Sequence, residues 1–214
     1  MDYPLPLQLF ADKVGKHPDQ VWLHQPIERQ WHTITWAQAD DQARRIATGL
    51  QSQGYAPGDR VAILAKNSAE WFIADLAIMM AGLVSVPIYS TAGKDTIEYV
   101  LRHSGSKAII LGKLDGLDAA EAAIGPEILR LAMPYPTASA GEQWRDWLER
   151  YEPLQEAAVP AAEDTMTICY TSGSTGVPKG VVLTFGNLAA SAACSIAKFQ
   201  PQPGDRGLSY LPLA

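Results

Sequence analysis

A chain of 214 residues, 47% hydrophobic and 19% charged, is long enough to bury one substantial core or two small ones and too apolar to be disordered. A formal net charge of -6 argues against a general nucleic-acid or anionic-membrane surface, since such binding needs clustered cations. Any phosphate site must therefore be local.

Leu5 to Lys16 places Leu7, Phe10, Ala11 and Val14 at helical spacing and predicts a first helix. Val21 to His24 and Trp31 to Ile34 read as short strands on either side of a turn at Pro26. Thr35 with Gln38 three residues on is a capping box, and Ala39, Ala43, Ile46, Ala47 and Leu50 supply the buried stripe of the helix it starts. Gly54 is placed to end that helix. Strand and helix patterns then alternate: strand Arg60 to Ala65, a helix capped by Asn67 or Ser68 and running to about Ala81, strand Val84 to Ile88, helix Asp95 to His103, strand Lys107 to Leu111, and a helical stretch from Leu117 to Ile124. This rhythm predicts an α/β fold with a mostly parallel sheet and helices on both faces.

The window Trp71 to Tyr89 is apolar enough to suggest a membrane span, but Asp75 lies inside it and Gly82 and Pro87 divide it into a helix and a strand. Ile128 to Met133 reads as a strand, and Gly141 to Tyr151 as a helix whose Trp144, Trp147 and Leu148 are core residues rather than a ligand platform. Residues 152–164 have linker composition, dividing a first α/β portion, 1–151, from a last portion, 165–214. In that last portion Asn187 to Lys198 is a helix and Leu208 to Leu213 an apolar strand pattern. Cys169 and Cys194 both lie in apolar stretches and are expected to be buried free thiols. The N-terminus Met1-Asp2-Tyr3-Pro4 lacks the basic region and apolar core of a secretory signal, so the expected compartment is the cytoplasm.

The most informative stretch is Tyr170-Thr171-Ser172-Gly173-Ser174-Thr175-Gly176-Val177-Pro178-Lys179-Gly180, between strand patterns at Thr165 to Tyr170 and Val181 to Thr184. Its glycines let backbone N–H groups face an anion, its hydroxyls donate further hydrogen bonds, and Lys179 supplies a compact positive charge. It is not a Walker A loop. That loop ends in Gly-Lys-Ser/Thr and opens a helix, whereas here Pro178 precedes Lys179, Gly180 follows it, and the next residues are strand-like.

The string resembles the phosphate-binding signature of the adenylate-forming enzymes, which include acyl-CoA synthetases, peptide-synthetase adenylation domains and luciferases. GDRVAILAKNSAEW (Gly58 to Trp71), GLVSVPIYSTA (Gly82 to Ala92), YVLRHSGSKAII (Tyr99 to Ile110) and LSYLPLA (Leu208 to Ala214) are similar to the front of a long-chain fatty acyl-CoA synthetase. The resemblance implies an ATP-dependent acid-thiol ligase that makes acyl-AMP and pyrophosphate and passes the acyl group to CoA. Its partners would be fatty acid, ATP, Mg²⁺ and CoA, with no nucleic acid, and a peripheral place on the inner face of a membrane stays open. It further implies that Thr171, Ser172, Gly173, Ser174, Thr175, Gly176, Lys179 and Gly180 bind the ATP phosphates, with Thr171 touching the metal ion. Phe185 departs from the family, which often has histidine there.

The pattern ends at Ala214 inside an apolar run, so the sequence is expected to be the front of a longer protein, an incomplete AMP-binding domain that does not catalyse adenylation by itself. No catalytic residue is assignable within the span, and His17, His24, His32 and His103 sit in unrelated contexts. A fatty acyl-AMP ligase or another acid-CoA ligase remains an alternative within the family. Outside it stand a nucleotide hydrolase and a non-catalytic nucleotide-binding module.

Overall fold

The computed structural model describes residues 3–135, 141–172, 177–202 and 204–213. Helix α1 (Pro6–Lys16) leads into a hairpin of β1 (Val21–Ile27) and β2 (Gln30–Thr35), followed by α2 (Trp36–Gln51). The alternating part comprises β3 (Arg60–Leu64), α3 (Ala69–Met80), β4 (Val84–Ile88), α4 (Lys94–Ser104), β5 (Ser106–Leu111), α5 (Asp118–Ala123), β6 (Leu129–Ala132), β7 (Glu142–Gln143) and α6 (Trp144–Arg150). The chain then adds β8 (Thr165–Ser172), β9 (Pro178–Thr184) and α7 (Phe185–Phe199).

Seven strands form one sheet in the order β7-β6-β5-β3-β4-β8-β9, parallel throughout except for β9, which returns antiparallel to β8. The predicted α/β class with a mostly parallel sheet is what the chain adopts. Parallel strands covered on both faces must be apolar along their length, and Val61 to Leu64, Val84 to Ile88 and Ala108 to Leu111 are buried without a break. One face packs against α1, α2, α3, α6 and α7, the other against α4 and α5.

Local signals explain the helix starts. The Thr35 hydroxyl accepts from the Gln38 N–H while the Gln38 side chain accepts from the Thr35 N–H, and every residue of the stripe Ala39, Ala43, Ile46, Ala47 and Leu50 is fully buried. Of the two candidate caps for α3, Ser68 is the one that accepts from the Trp71 N–H. Trp144 and Trp147 are core residues, as their spacing predicts. The apolar window from Trp71 divides into α3 and β4, and no helix among the described residues is long and apolar enough to cross a membrane.

Four readings need correction. The first turn is not at Pro26, which lies inside β1 opposite Trp31; Glu28 and Arg29 make the turn with φ of 50° and 65°. Proline is tolerated there because β1 pairs on one side only. Gly54 does not end α2, which stops at Gln51; it supplies the left-handed residue of the turn beyond, φ 76°. Leu208 to Leu213 forms no strand. It has no ladder partner: Leu208 to Leu211 are exposed, Leu213 packs partly against the core, and the Asn67 side-chain amide donates to the Ser209 and Leu211 carbonyls. Finally, Cys194 is exposed and Cys169 half-buried, because α7 covers the edge of the sheet and buries only Phe185 and Ala189.

Residues 152–164 contain no regular element yet run as a strap across α2, α3 and α7. Arg44 Nη1 donates to the Leu154 carbonyl at 2.8 Å, Ala158 N–H to Met80 at 2.9 Å, and Gly186 N–H to Ala162 at 2.8 Å.

Candidate phosphate-binding site

Parallel strands share a carboxyl edge, and in open α/β sheets ligands gather there, where connections leave neighbouring strands toward opposite faces. Here β3 leads to α3 on one face, while its neighbour β5 leads to α5 on the other. The carboxyl end of β8 joins the same edge and carries the glycine- and hydroxyl-rich run.

The register of the β8–β9 hairpin arranges the candidate residues. Tyr170 opposes Gly180, Thr171 opposes Lys179, and Ser172 opposes Pro178. Directly opposed residues on antiparallel strands project to the same face. Thr171 and Lys179 therefore form one cross-strand pair at the foot of the loop, and both are exposed. The same face holds Cys169 opposite Val181 and Thr167 opposite Leu183. Thr167 is buried there, its hydroxyl donating to the Ser85 carbonyl at 3.1 Å. Gly173, Ser174, Thr175 and Gly176 lie outside the described residues, and Ser172 is placed by its backbone alone.

The opposite face of the hairpin is covered at Ile168 and Tyr170 but open at Val182, which opposes Ile168. Ile168 and Tyr170 pack into the core beneath α4. Gly180 lies under them, and a Cβ at that position would approach Ile168 Cγ2 at 2.9 Å and the Tyr170 ring at 3.3 Å. Glycine is needed here for a close approach as much as for the loop.

The Tyr170 hydroxyl lies 2.7 Å from His103 Nδ1, and the His103 ring stacks on Tyr99 one turn earlier in α4, with centroids 5.2 Å apart. Burial, and then the nearby Tyr99, pushes the Tyr170 phenol above its ordinary range, so it stays protonated. Sequence reasoning missed this contact; the only available signal was the i, i+4 spacing of Tyr99 and His103 on a helix. Behind the hairpin, desolvation raises the Asp75 carboxyl to about 6, opposed by the neighbouring Ser85 hydroxyl. The Cys169 thiol is pushed up chiefly by burial.

Two cavities flank the sheet. A small one of about 260 Å³ lies at the carboxyl edge, lined by Lys66, Asn67, Ser90 and Lys113 among others. A larger one of about 720 Å³ lies at the amino ends of β5 and β6, between α4 and α5, away from the hairpin. The smaller cavity shares the carboxyl edge of the sheet with the end of β8, although no described residue of the 170–180 run lines it.

Known proteins identify the family to which the chain belongs. Residues 10–214 match the family model described as AMP-binding enzyme. The chain is 34% identical over 200 residues to the peroxisomal long chain acyl-CoA synthetase 7 of Arabidopsis thaliana, covering 87% of this chain and 28% of that protein. To fatty acyl-CoA synthetase A of Dictyostelium discoideum it is 35% identical over 224 residues, covering 97% and 31%. Among solved structures, a putative long-chain-fatty-acid CoA ligase from Rhodopseudomonas palustris superposes with a TM-score of 0.80 at 21% identity, over 99% of this chain and 52% of that one. The o-succinylbenzoate CoA synthetase of Bacillus subtilis, solved with its acyl-adenylate intermediate, gives 0.75 at 26% identity, over 95% and 38%. The chain thus spans about a third of the length of these two curated relatives. Across nearly its whole length, it belongs to the AMP-binding enzyme family.

Proposed function

We propose that the protein is an acyl-CoA synthetase acting on fatty acids, and that this chain forms the front of its AMP-binding domain. The observation that carries the reading is the exposed Thr171–Lys179 pair at the foot of the glycine-rich loop. It sets a hydroxyl donor and a cation side by side at the exposed end of a hairpin, on the carboxyl edge where open α/β sheets bind ligands. The long-chain acyl-CoA synthetases at 34–35% identity support the substrate class.

A carboxylate resists thiol attack because its oxide is a poor leaving group. In the first step a carboxylate oxygen attacks the α-phosphorus of ATP, forming the acyl–phosphate bond as the bond to pyrophosphate breaks. In the second the CoA thiolate attacks the acyl carbon and AMP leaves. The chain's part in the first step is positioning and charge neutralisation. Backbone N–H groups of the run 172–177 and the hydroxyls of Ser174 and Thr175 hold the β- and γ-phosphates, and Lys179 offsets their charge.

Among the described residues no group of three or more His, Cys, Asp or Glu is placed to hold a metal ion. The Thr171 hydroxyl is a single neutral oxygen donor, which suits a magnesium ion that arrives on the triphosphate and retains waters. Bound there, such an ion would add charge neutralisation on the phosphates.

The test is ATP–pyrophosphate exchange by the protein expressed from its complete reading frame, with acids from acetate to oleate. Exchange should depend on long-chain acid and fall by about 10²-fold in Lys179→Ala. Acid-independent phosphate release would instead indicate a hydrolase, and no exchange with any acid would overturn the reading. A choice between CoA and a carrier-protein thiol separates the synthetase from a fatty acyl-AMP ligase.

A further inference from the structure

The β8–β9 hairpin packs along β4 but is joined to it by little backbone ladder. Strand β9 is at the edge, and β8 and β4 share a single registered pair, Ser85 with Thr167. By contrast β3 matches β4 over five pairs. Part of the cause is Pro87, next to the last residue of β4, which has no N–H to give. Beside its packing along β4, two side-chain hydrogen bonds among the described residues tie the hairpin to neighbouring elements. One is Thr167 to the Ser85 carbonyl; the other is Tyr170 to His103.

The second contact is nearer the loop and bears on both of its stems. Tyr170 immediately precedes Thr171 on β8, and its ring lies across Gly180, which immediately follows Lys179 on β9. His103 is itself held by stacking on Tyr99, while the edge of the Tyr99 ring faces Tyr170 with centroids 6.4 Å apart. A displacement of the Tyr170 hydroxyl is thus a displacement of the Thr171–Lys179 pair.

We propose that His103 is a positioning residue for the phosphate loop, acting through the Tyr170 hydroxyl to fix where Thr171 and Lys179 present their donors to the ATP phosphates. The proposal rests on the adenylation reading above. His103 touches no substrate. Its effect is on ATP recognition, before any bond is made or broken.

Three variants of the full-length protein separate this role from packing. Tyr170→Phe keeps the ring over Gly180 and removes the hydroxyl. His103→Phe keeps the stack on Tyr99 and removes Nδ1. His103→Asn places an amide oxygen near the former Nδ1 and restores an acceptor. In acid-dependent ATP–pyrophosphate exchange, Tyr170→Phe and His103→Phe should each raise the KM for ATP about fivefold with kcat changed less than twofold, the scale of one lost hydrogen bond. The double variant should be no worse than either single one, and His103→Asn should recover most of the loss. An unchanged KM in both single variants, additive effects in the double variant, or losses that follow the melting temperature and not the KM would each overturn the proposal. If the unmutated protein shows no acid-dependent exchange, the adenylation reading itself fails, an outcome distinct from these.

Discussion

The centre of the sheet and its β8–β9 edge are built on opposite principles. Strands β3, β4 and β5 are buried on both faces and paired on both sides, so nearly every side chain is fixed by packing. The edge hairpin is only partly covered instead: Tyr170 is buried, while Lys179, Val181 and Val182 are exposed, the last at 55%. The centre has stability to spare and no chemistry. The edge has hydroxyls, a cation and open backbone, with few contacts to hold them. Under the proposed function, a run that receives a triphosphate belongs on such an edge, provided that something rigid aims it.

That contrast can be attacked from its strong side first. Trp147 is fully buried and donates from Nε1 to Glu142 at 3.1 Å. Trp147→Ala should cost about 3–5 kcal/mol in urea unfolding through cavity and transfer terms. Any loss of exchange should then follow the folded fraction.

Asp75 tests the seam between the two regions. Its folded value, about 6, lies above the ordinary 3.8, so the native state holds its proton more tightly than the unfolded chain. The stabilisation is fully present below about pH 4 and is lost as pH rises through 6, by at most about 3 kcal/mol. Asp75→Asn should therefore flatten the fall in melting temperature between pH 4 and pH 7. An unchanged profile would show that the carboxyl is well solvated.

The cap of α7 involves a smaller amount. The Thr184 hydroxyl accepts from the Asn187 N–H at 3.2 Å and the Asn187 side chain returns the bond at 3.0 Å. Thr184→Ala should cost about 1 kcal/mol. Smallest of all in stability is Lys179→Ala, expected within about 0.5 kcal/mol of the parent because the side chain is exposed. A large destabilisation there would mean that Lys179 is part of the frame and would weaken its reading as a phosphate ligand.

Much of the frame was legible because its signals are local. The Thr35–Gln38 box, the stripe from Ala39 to Leu50 and the apolar runs of β3 to β5 each depend on residues a few positions apart. Errors fell where a local signal had a tertiary competitor. Pro26 looks like a turn residue until β1 proves to be paired on one side only, and Leu208 to Leu213 has strand composition without a strand beside it. The candidate site was legible as composition, since glycines, hydroxyls and one lysine announce an anion. Its geometry was less so, because the pairing of Thr171 with Lys179 is a matter of register. The His103–Tyr170 contact joins residues 67 positions apart, and no pattern within either segment records it.

The strap of residues 152–164 bears on how the molecule comes into being. Thr167 meets Ser85 across 82 positions, and β5, β6 and β7 are all laid down on the far side of β3 before the chain returns to extend the sheet beyond β4. Synthesis runs from the N-terminus, and contacts between distant segments form late. Strand β8 is therefore expected among the last to join the sheet. The proposed phosphate-binding edge would then be completed only on a frame that has already folded, so a nascent chain with a defective frame would expose no finished site.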